Sequence, residues 1–122
     1  MHRELNSETP LFVQIAERLE NAILSDALAE ERQAPSTTEI SVSYKINPAT
    51  ALKGITLLVD EGVLYKKRGL GMFVATGAKQ AILLKRKNKF GDKFVKPMIR
   101  EAEKLLISRE EIINMIRSGF EK

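Results

Sequence analysis

A chain of 122 residues, 43% hydrophobic and 30% charged, can build one compact core or a small domain with an oligomerising appendage, but not two large independent domains. The absence of cysteine excludes a disulfide frame and a thiolate zinc site, and a formal net charge of +4 favours a polyanionic partner. Apolar runs such as residues 81–84 fall far short of the roughly 20 residues that cross a bilayer, and the N-terminus is polar, so a soluble, cytoplasmic protein without a membrane partner is expected.

A first helix is expected with Thr9 as its cap and Pro10 at the first helical position, carrying Phe12, Ile15, Leu19, Ala22 and Ile23 on one stripe and ending near Asp26. Residues 27–35 read as a connection closed by Pro35. Ser36 and Glu39 then form a Ser-x-x-Glu capping box that opens a second helix, with Ile40 and Tyr44 facing inward. Lys45 and Ile46 make a short turn into a third helix, in which Asn47 caps, Pro48 occupies the first position and Gly62 ends the run. The helical period puts Ala51, Gly54, Ile55 and Leu58 inside, Ala49, Leu52, Lys53 and Thr56 outside, and Thr50 on the flank. Two helices joined so closely make a helix-turn-helix.

Beyond Gly62, two β-prone runs, residues 63–67 and 72–75, flank Arg68, Gly69, Leu70 and Gly71, which is the pattern of a hairpin with a cationic, glycine-bounded tip. From Thr76 onward the chain reads as helical, with Leu83, Phe90, Phe94, Met98, Ala102 and Leu105 on an apolar stripe. Gly91 and Pro97 predict a kink or a break between residues 90 and 97. Ser108 and Glu111 make a second capping box for a last helix, with Ile112, Ile113 and Ile116 apolar and Gly119 as its end.

The expected fold is therefore mainly α with a small β-hairpin: a winged helix-turn-helix DNA-binding domain over residues 1–75 and an α-helical dimerisation domain over residues 76–122. A tail this short buries little alone, so pairing with a second copy through Leu83, Phe90, Phe94, Met98, Ala102 and Leu105 is the natural way to hide its stripe. At that helical spacing Phe90 and Phe94 read as packing residues before they read as an effector pocket. Expected DNA contacts fall at Ser36, Thr37 and Thr38, where a helix N-terminus attracts phosphate. They continue at Asn47, Pro48, Ala49, Thr50 and Lys53 on the recognition helix, and at Lys67, Arg68, Gly69, Leu70 and Gly71 on the wing, where arginine suits the minor groove. Lys66 is expected to face away, and Lys85, Arg86, Lys87, Lys89 and Lys93 read as a solvated helix face.

Residues 10–75 resemble the N-terminal half of GntR-family bacterial transcription regulators. The resemblance rests on the order of parts: a Pro-Leu-aromatic opening at Pro10, Leu11 and Phe12, a Pro-Ser helix start at Pro35 and Ser36, a recognition helix closing with Leu58, Glu61 and Gly62, then Arg68-Gly69-Leu70-Gly71 before Phe73 and Val74. The short helical tail is similar to the YtrA subfamily, which implies a homodimeric regulator, often of transporter operons. Two departures stand out. Thr38 replaces a common arginine, and Asn47-Pro48 replaces a frequent Ser-Arg, so fewer guanidinium contacts are available. Outward Ala49 and Leu52 suit thymine methyl groups, and an operator rich in A·T opposite this helix is expected.

The function expected is that of a sequence-specific DNA-binding regulator, a repressor, acting as a homodimer on a two-fold symmetric operator, with room left for a small-molecule effector. The alternative is a winged-helix protein-interaction module without specific DNA binding. No enzyme, cofactor or metal site is expected: the one histidine, His2, is terminal and reads as inert, and no acid pair sits in a glycine-rich pocket.

Overall fold

Helix α1 (Leu11–Leu24) opens one residue later than expected, because Pro10 at φ −53° and ψ 140° is still outside the helix. Proline fixes φ but leaves ψ free, and here its carbonyl already accepts from the N–H groups of Val13 and Gln14. Thr9 is not the cap; its carbonyl accepts instead from Gln14 Nε2 at 2.6 Å. The structure, a computed structural model, describes residues 8–121, so His2 lies outside the described residues.

The expected capping box opens α2 (Thr37–Tyr44): Glu39 N–H donates to Ser36 Oγ at 3.0 Å and Ser36 N–H donates to Glu39 Oε1 at 2.9 Å. Lys45 closes the helix in the left-handed region at φ 55°, and the Ser41 hydroxyl donates to the Ile46 carbonyl at 2.7 Å, which fixes the turn. Asn47 then caps α3 (Pro48–Asp60) by accepting from Ala49 N–H at 2.8 Å. At the other end Gly62, with φ +76°, lets Val63 N–H reach back to the Leu58 carbonyl.

Ala51, Gly54, Ile55 and Leu58 are the buried face of α3, as the period requires. Gly54 is where α3 meets α1: a Cβ there would stand 2.9 Å from the Phe12 carbonyl oxygen and 3.0 Å from Ile15 Cγ2. Only a bare Cα allows the two backbones to come this close. The core is completed by Ile15, Ile23, Leu64, Val74 and Ile82, all under 2% exposed. Each contributes roughly 1.5–3 kcal/mol by leaving water.

Strands β1 (Leu64–Lys67) and β2 (Gly71–Val74) pair antiparallel, from Leu64 opposite Val74 to Lys67 opposite Gly71. The segment expected to be a plain connection runs along the free edge of β2: Glu31 N–H donates to the Val74 carbonyl, Val74 N–H to Arg32 and Ala34 N–H to Met72. That edge is therefore paired rather than exposed.

The described chain divides into two compact units after Leu84. The expected boundary fell after residue 75; the difference lies in α4 (Ala78–Phe90), whose Ala78 and Ile82 are 1% exposed and belong to the core of the first unit. Three carboxylates hold the start of that helix. Glu30 accepts from Gly77 and Lys79 N–H at 2.9 and 3.1 Å, and Asp26 pairs with Lys79 Nζ at 3.0 Å. Glu31 accepts from Thr76 Oγ1 at 2.7 Å.

Within the second unit the helix neither breaks nor stops at Gly91 and Pro97. A single π-helical turn (Gly91–Val95) carries it into α5 (Lys96–Lys104), with Lys96 N–H donating to the Gly91 carbonyl and helical dihedrals on both sides. One wider turn is a low-cost way to seat a proline that lacks an N–H. Leu106, at φ 59°, turns the chain into α6 (Arg109–Phe120), which the Ser108–Glu111 box caps as expected. Helix α6 runs through Gly119 to Phe120 instead of ending there.

Candidate nucleic-acid interface

On α3 the residues facing away from the core are Asn47, Pro48, Ala49, Leu52, Lys53 and Thr56, all exposed, with Thr50 half-buried on the flank. Leu52, at 50% exposure, is a large apolar side chain left in water. Lys53 does not simply extend into solvent: its Nζ lies 4.2 Å from the centre of the Phe12 ring on α1. An ammonium over a ring face is held by about 0.5–1 kcal/mol at an exposed site, weak enough to release for a phosphate or a base edge. Ser36 and Thr38 are exposed and Thr37 half-buried at the start of α2. Ser36 Oγ is occupied by Glu39 N–H, so Ser36 offers a second lone pair and not an idle group.

The hairpin separates its side chains by alternation. Leu64 and Val74 are buried, while Tyr65, Lys67 and Phe73 take the other face. Lys67 lies along that face with its Nζ 4.2 Å from the Phe73 ring centre and 5.8 Å from that of Tyr65. Lys66 is exposed on the side opposite Lys67. At the tip, Lys67 accepts from Leu70 N–H at 2.9 Å, and Gly69 and Gly71 take φ of +78° and +110°. Arg68 is exposed, and among the described residues no hydrogen bond or ion pair is found on its guanidinium. Leu70 is 63% exposed.

Three further side chains brace this surface, and two of them, Gln33 and Glu31, carry no signal a sequence reading could use. Gln33 donates from Nε2 to the Leu70 carbonyl at 2.6 Å and pairs across to Phe73. Phe12 is the ring beneath Lys53. Glu31 accepts from the Tyr65 hydroxyl and from Thr76, and these two hydrogen bonds, Thr76 first, hold its carboxyl below the usual carboxylate range. The same contact with Glu31 pushes the Tyr65 phenol above its ordinary value. Of these, Phe12 alone left a trace, in the Pro-Leu-aromatic opening.

The stripe residues divide. Leu83 is half-buried in the first unit. In the second, Phe90, Phe94, Met98 and Leu105 are 38–60% exposed, with the Phe90 and Phe94 ring centres 5.3 Å apart. Ala102 differs: it is buried at 5% within its own unit, at the base of an apolar groove lined by Met98, Leu105, Ile112, Met115 and Ile116. Lys85 and Arg86 are half-buried, while Lys87, Lys89 and Lys93 are exposed. Among the described residues no three acidic or histidine groups gather as a metal site, and no helix is long and apolar enough to cross a membrane.

No protein-family profile matches the chain. Among curated proteins it is 24% identical over 121 residues to the HTH-type transcriptional regulator YhcF of Bacillus subtilis, covering 99% of this chain and 98% of YhcF. It is 27% identical over 77 residues to the HTH-type transcriptional repressor YtrA of the same organism, covering 63% of this chain and 59% of YtrA. Among solved structures, the DNA-binding domain of AraR in complex with operator ORX1 matches with a TM-score of 0.54 and 27% identity, over 62% of this chain and 93% of that one. A putative GntR-family regulator from Bacteroides thetaiotaomicron matches with a TM-score of 0.74 and 35% identity, over 91% of this chain and 96% of that one. A capped recognition helix, a glycine-tipped wing and this near end-to-end likeness place the chain in the GntR family of transcriptional regulators.

Proposed function

We propose that this regulator binds a two-fold symmetric operator as a homodimer and represses transcription from it in the cytoplasm. The carrying observation is the outward face of α3, where Ala49, Leu52, Lys53 and Thr56 are exposed while the opposite face is sealed against α1. The free guanidinium of Arg68 at the wing supports it. Ser36, Thr37 and Thr38 contact phosphate, Asn47, Pro48, Ala49, Thr50 and Lys53 face the major groove, and Arg68, Gly69, Leu70 and Gly71 approach the minor groove. Lys67, lying on the hairpin face, contributes field more than a direct bond. Repression is favoured by YtrA, which is named a repressor, and DNA as the ligand by AraR, whose like domain is seen on an operator. A transporter operon is the target class that the family resemblance implies.

Dimerisation rests on the second unit, where no residue of α6 is buried and Phe94, Leu105, Ile113, Met115 and Ile116 stand 38–60% exposed. The domain roles proposed divide with the units: the winged unit reads DNA and the second unit pairs. The test is enrichment of duplexes from a random library, followed by titration at increasing salt. The expected result is a palindromic sequence with half-sites roughly 10 bp apart or a multiple of it, A·T-rich opposite α3, and affinity falling steeply with salt. No enrichment, or affinity indifferent to salt, contradicts the reading.

A further inference from the structure

The wing tip of this protein is held by a side chain from outside the wing. Residues 31–34 run along β2, and Gln33 stands opposite Phe73 on the same face of the sheet as Gly71. Its amide passes over Gly71 and donates to the Leu70 carbonyl at 2.6 Å. Gly71 makes that path available: a Cβ there would stand 3.0 Å from Gln33 Nε2. Beyond the Lys67–Gly71 pair of the ladder, the tip holds the left-handed Gly69 and is closed by the Leu70 N–H to Lys67 bond, so the Gln33 contact is a brace from outside the hairpin. Glycine-containing tips sample many conformations, and a long arginine aimed from such a tip loses binding energy to the disorder it must give up.

We propose that Gln33 is a positioning residue for DNA binding, setting the direction in which Arg68 leaves the tip by fixing the neighbouring Leu70 carbonyl. This rests on the reading that the wing touches DNA. Gln33 itself needs no contact with the duplex. Its effect is preorganisation: the tip is ordered before binding, so the Arg68 contact costs less to make.

The test is a double-mutant cycle of Gln33→Ala and Arg68→Ala, measured as affinity for a duplex enriched from a random-sequence library on the wild-type protein. Arg68→Ala is expected to weaken binding roughly tenfold, the scale of one lost charge-assisted hydrogen bond. Gln33→Ala should weaken it severalfold with an unchanged melting temperature, since the side chain is exposed, and should add nothing once Arg68 is gone. Gln33→Glu keeps the shape but has no N–H to donate at neutral pH and adds a negative charge beside the duplex, so it should bind no better than Gln33→Ala. Wild-type affinity for Gln33→Ala or Gln33→Glu, or independent multiplying effects, overturns the inference while the DNA reading stands. An Arg68→Ala variant that binds as wild type overturns the wing contact and this inference with it. Failure to enrich any duplex removes the DNA reading itself.

Discussion

Replacing Gly54 with alanine sets two known effects against each other at one position. Alanine is the better helix former by about 0.8–1 kcal/mol, so in a helix with free space the change stabilises. Here the new methyl meets the Phe12 carbonyl oxygen at 2.9 Å and Ile15 Cγ2 at 3.0 Å. One obstacle is backbone and cannot rotate away, so α1 and α3 must part. Overpacking of a well-filled core costs about 1–3 kcal/mol, which leaves a net loss of roughly 0–2 kcal/mol after the helix gain. For a domain of this size, that is a fall in melting temperature of up to roughly 10 °C. The same substitution at Gly119, where nothing lies within 4 Å, meets no such obstacle and gains a few tenths of a kcal/mol near the helix end. Urea unfolding followed by circular dichroism compares the two. A Gly54→Ala protein more stable than wild type by the full propensity gain would refute the claim that backbone contact sets the α1–α3 spacing.

Acid unfolding should depend on Glu31 and Glu39. Both have folded-state pKa values below the ordinary one, Glu31 through Thr76 and Tyr65 and Glu39 through the backbone and side chain of Ser36. A lowered folded value means the stabilisation is present above the unfolded carboxylate pKa and is lost as pH falls through the folded one; Glu31→Gln should flatten the stability profile in that window. Tyr65 has the opposite sign: its raised value means stabilisation present below the ordinary tyrosine pKa and lost as pH rises through the folded one, which Tyr65→Phe should abolish in denaturation measured at alkaline pH. Ser36→Ala removes the α2 cap and should cost about 1 kcal/mol by the same unfolding assay, with no cost arguing against the capping box. Ile116→Glu places a charge in the apolar groove of the second unit and, on the proposed dimer, should shift sedimentation toward monomer; a variant sedimenting as wild type would contradict pairing through that groove.

The helical framework was readable because its signals are local. Ser36 with Glu39, Asn47 with Ala49 and Ser108 with Glu111 each complete their hydrogen bonds within three residues, and the buried face of α3 follows from its period alone. Pro10 misled by one residue because proline specifies φ and the helix boundary here depends on ψ. Residues 31–34 gave no strand signal because Glu31, Arg32 and Gln33 are polar and neither β-branched nor aromatic; they join the sheet by backbone pairing with β2. Lys53 on Phe12, and Gln33 on the wing tip, join residues about 40 apart, which periodicity cannot report. Gly119 failed as a helix end because a glycine lowers helix stability without forbidding it when the cap lies beyond. The domain boundary moved because Ala78 and Ile82 pack forward into the winged domain, whereas composition changes at Thr76.

The measurement closest to the central claim is binding of an enriched operator duplex by the Lys53→Glu, Arg68→Glu double variant, after its fold is verified by circular dichroism. Both side chains are exposed, so the fold should persist while specific binding is lost at physiological salt. A folded double variant that still selects and protects the same operator would contradict the assignment of α3 and the wing as the DNA-reading surface.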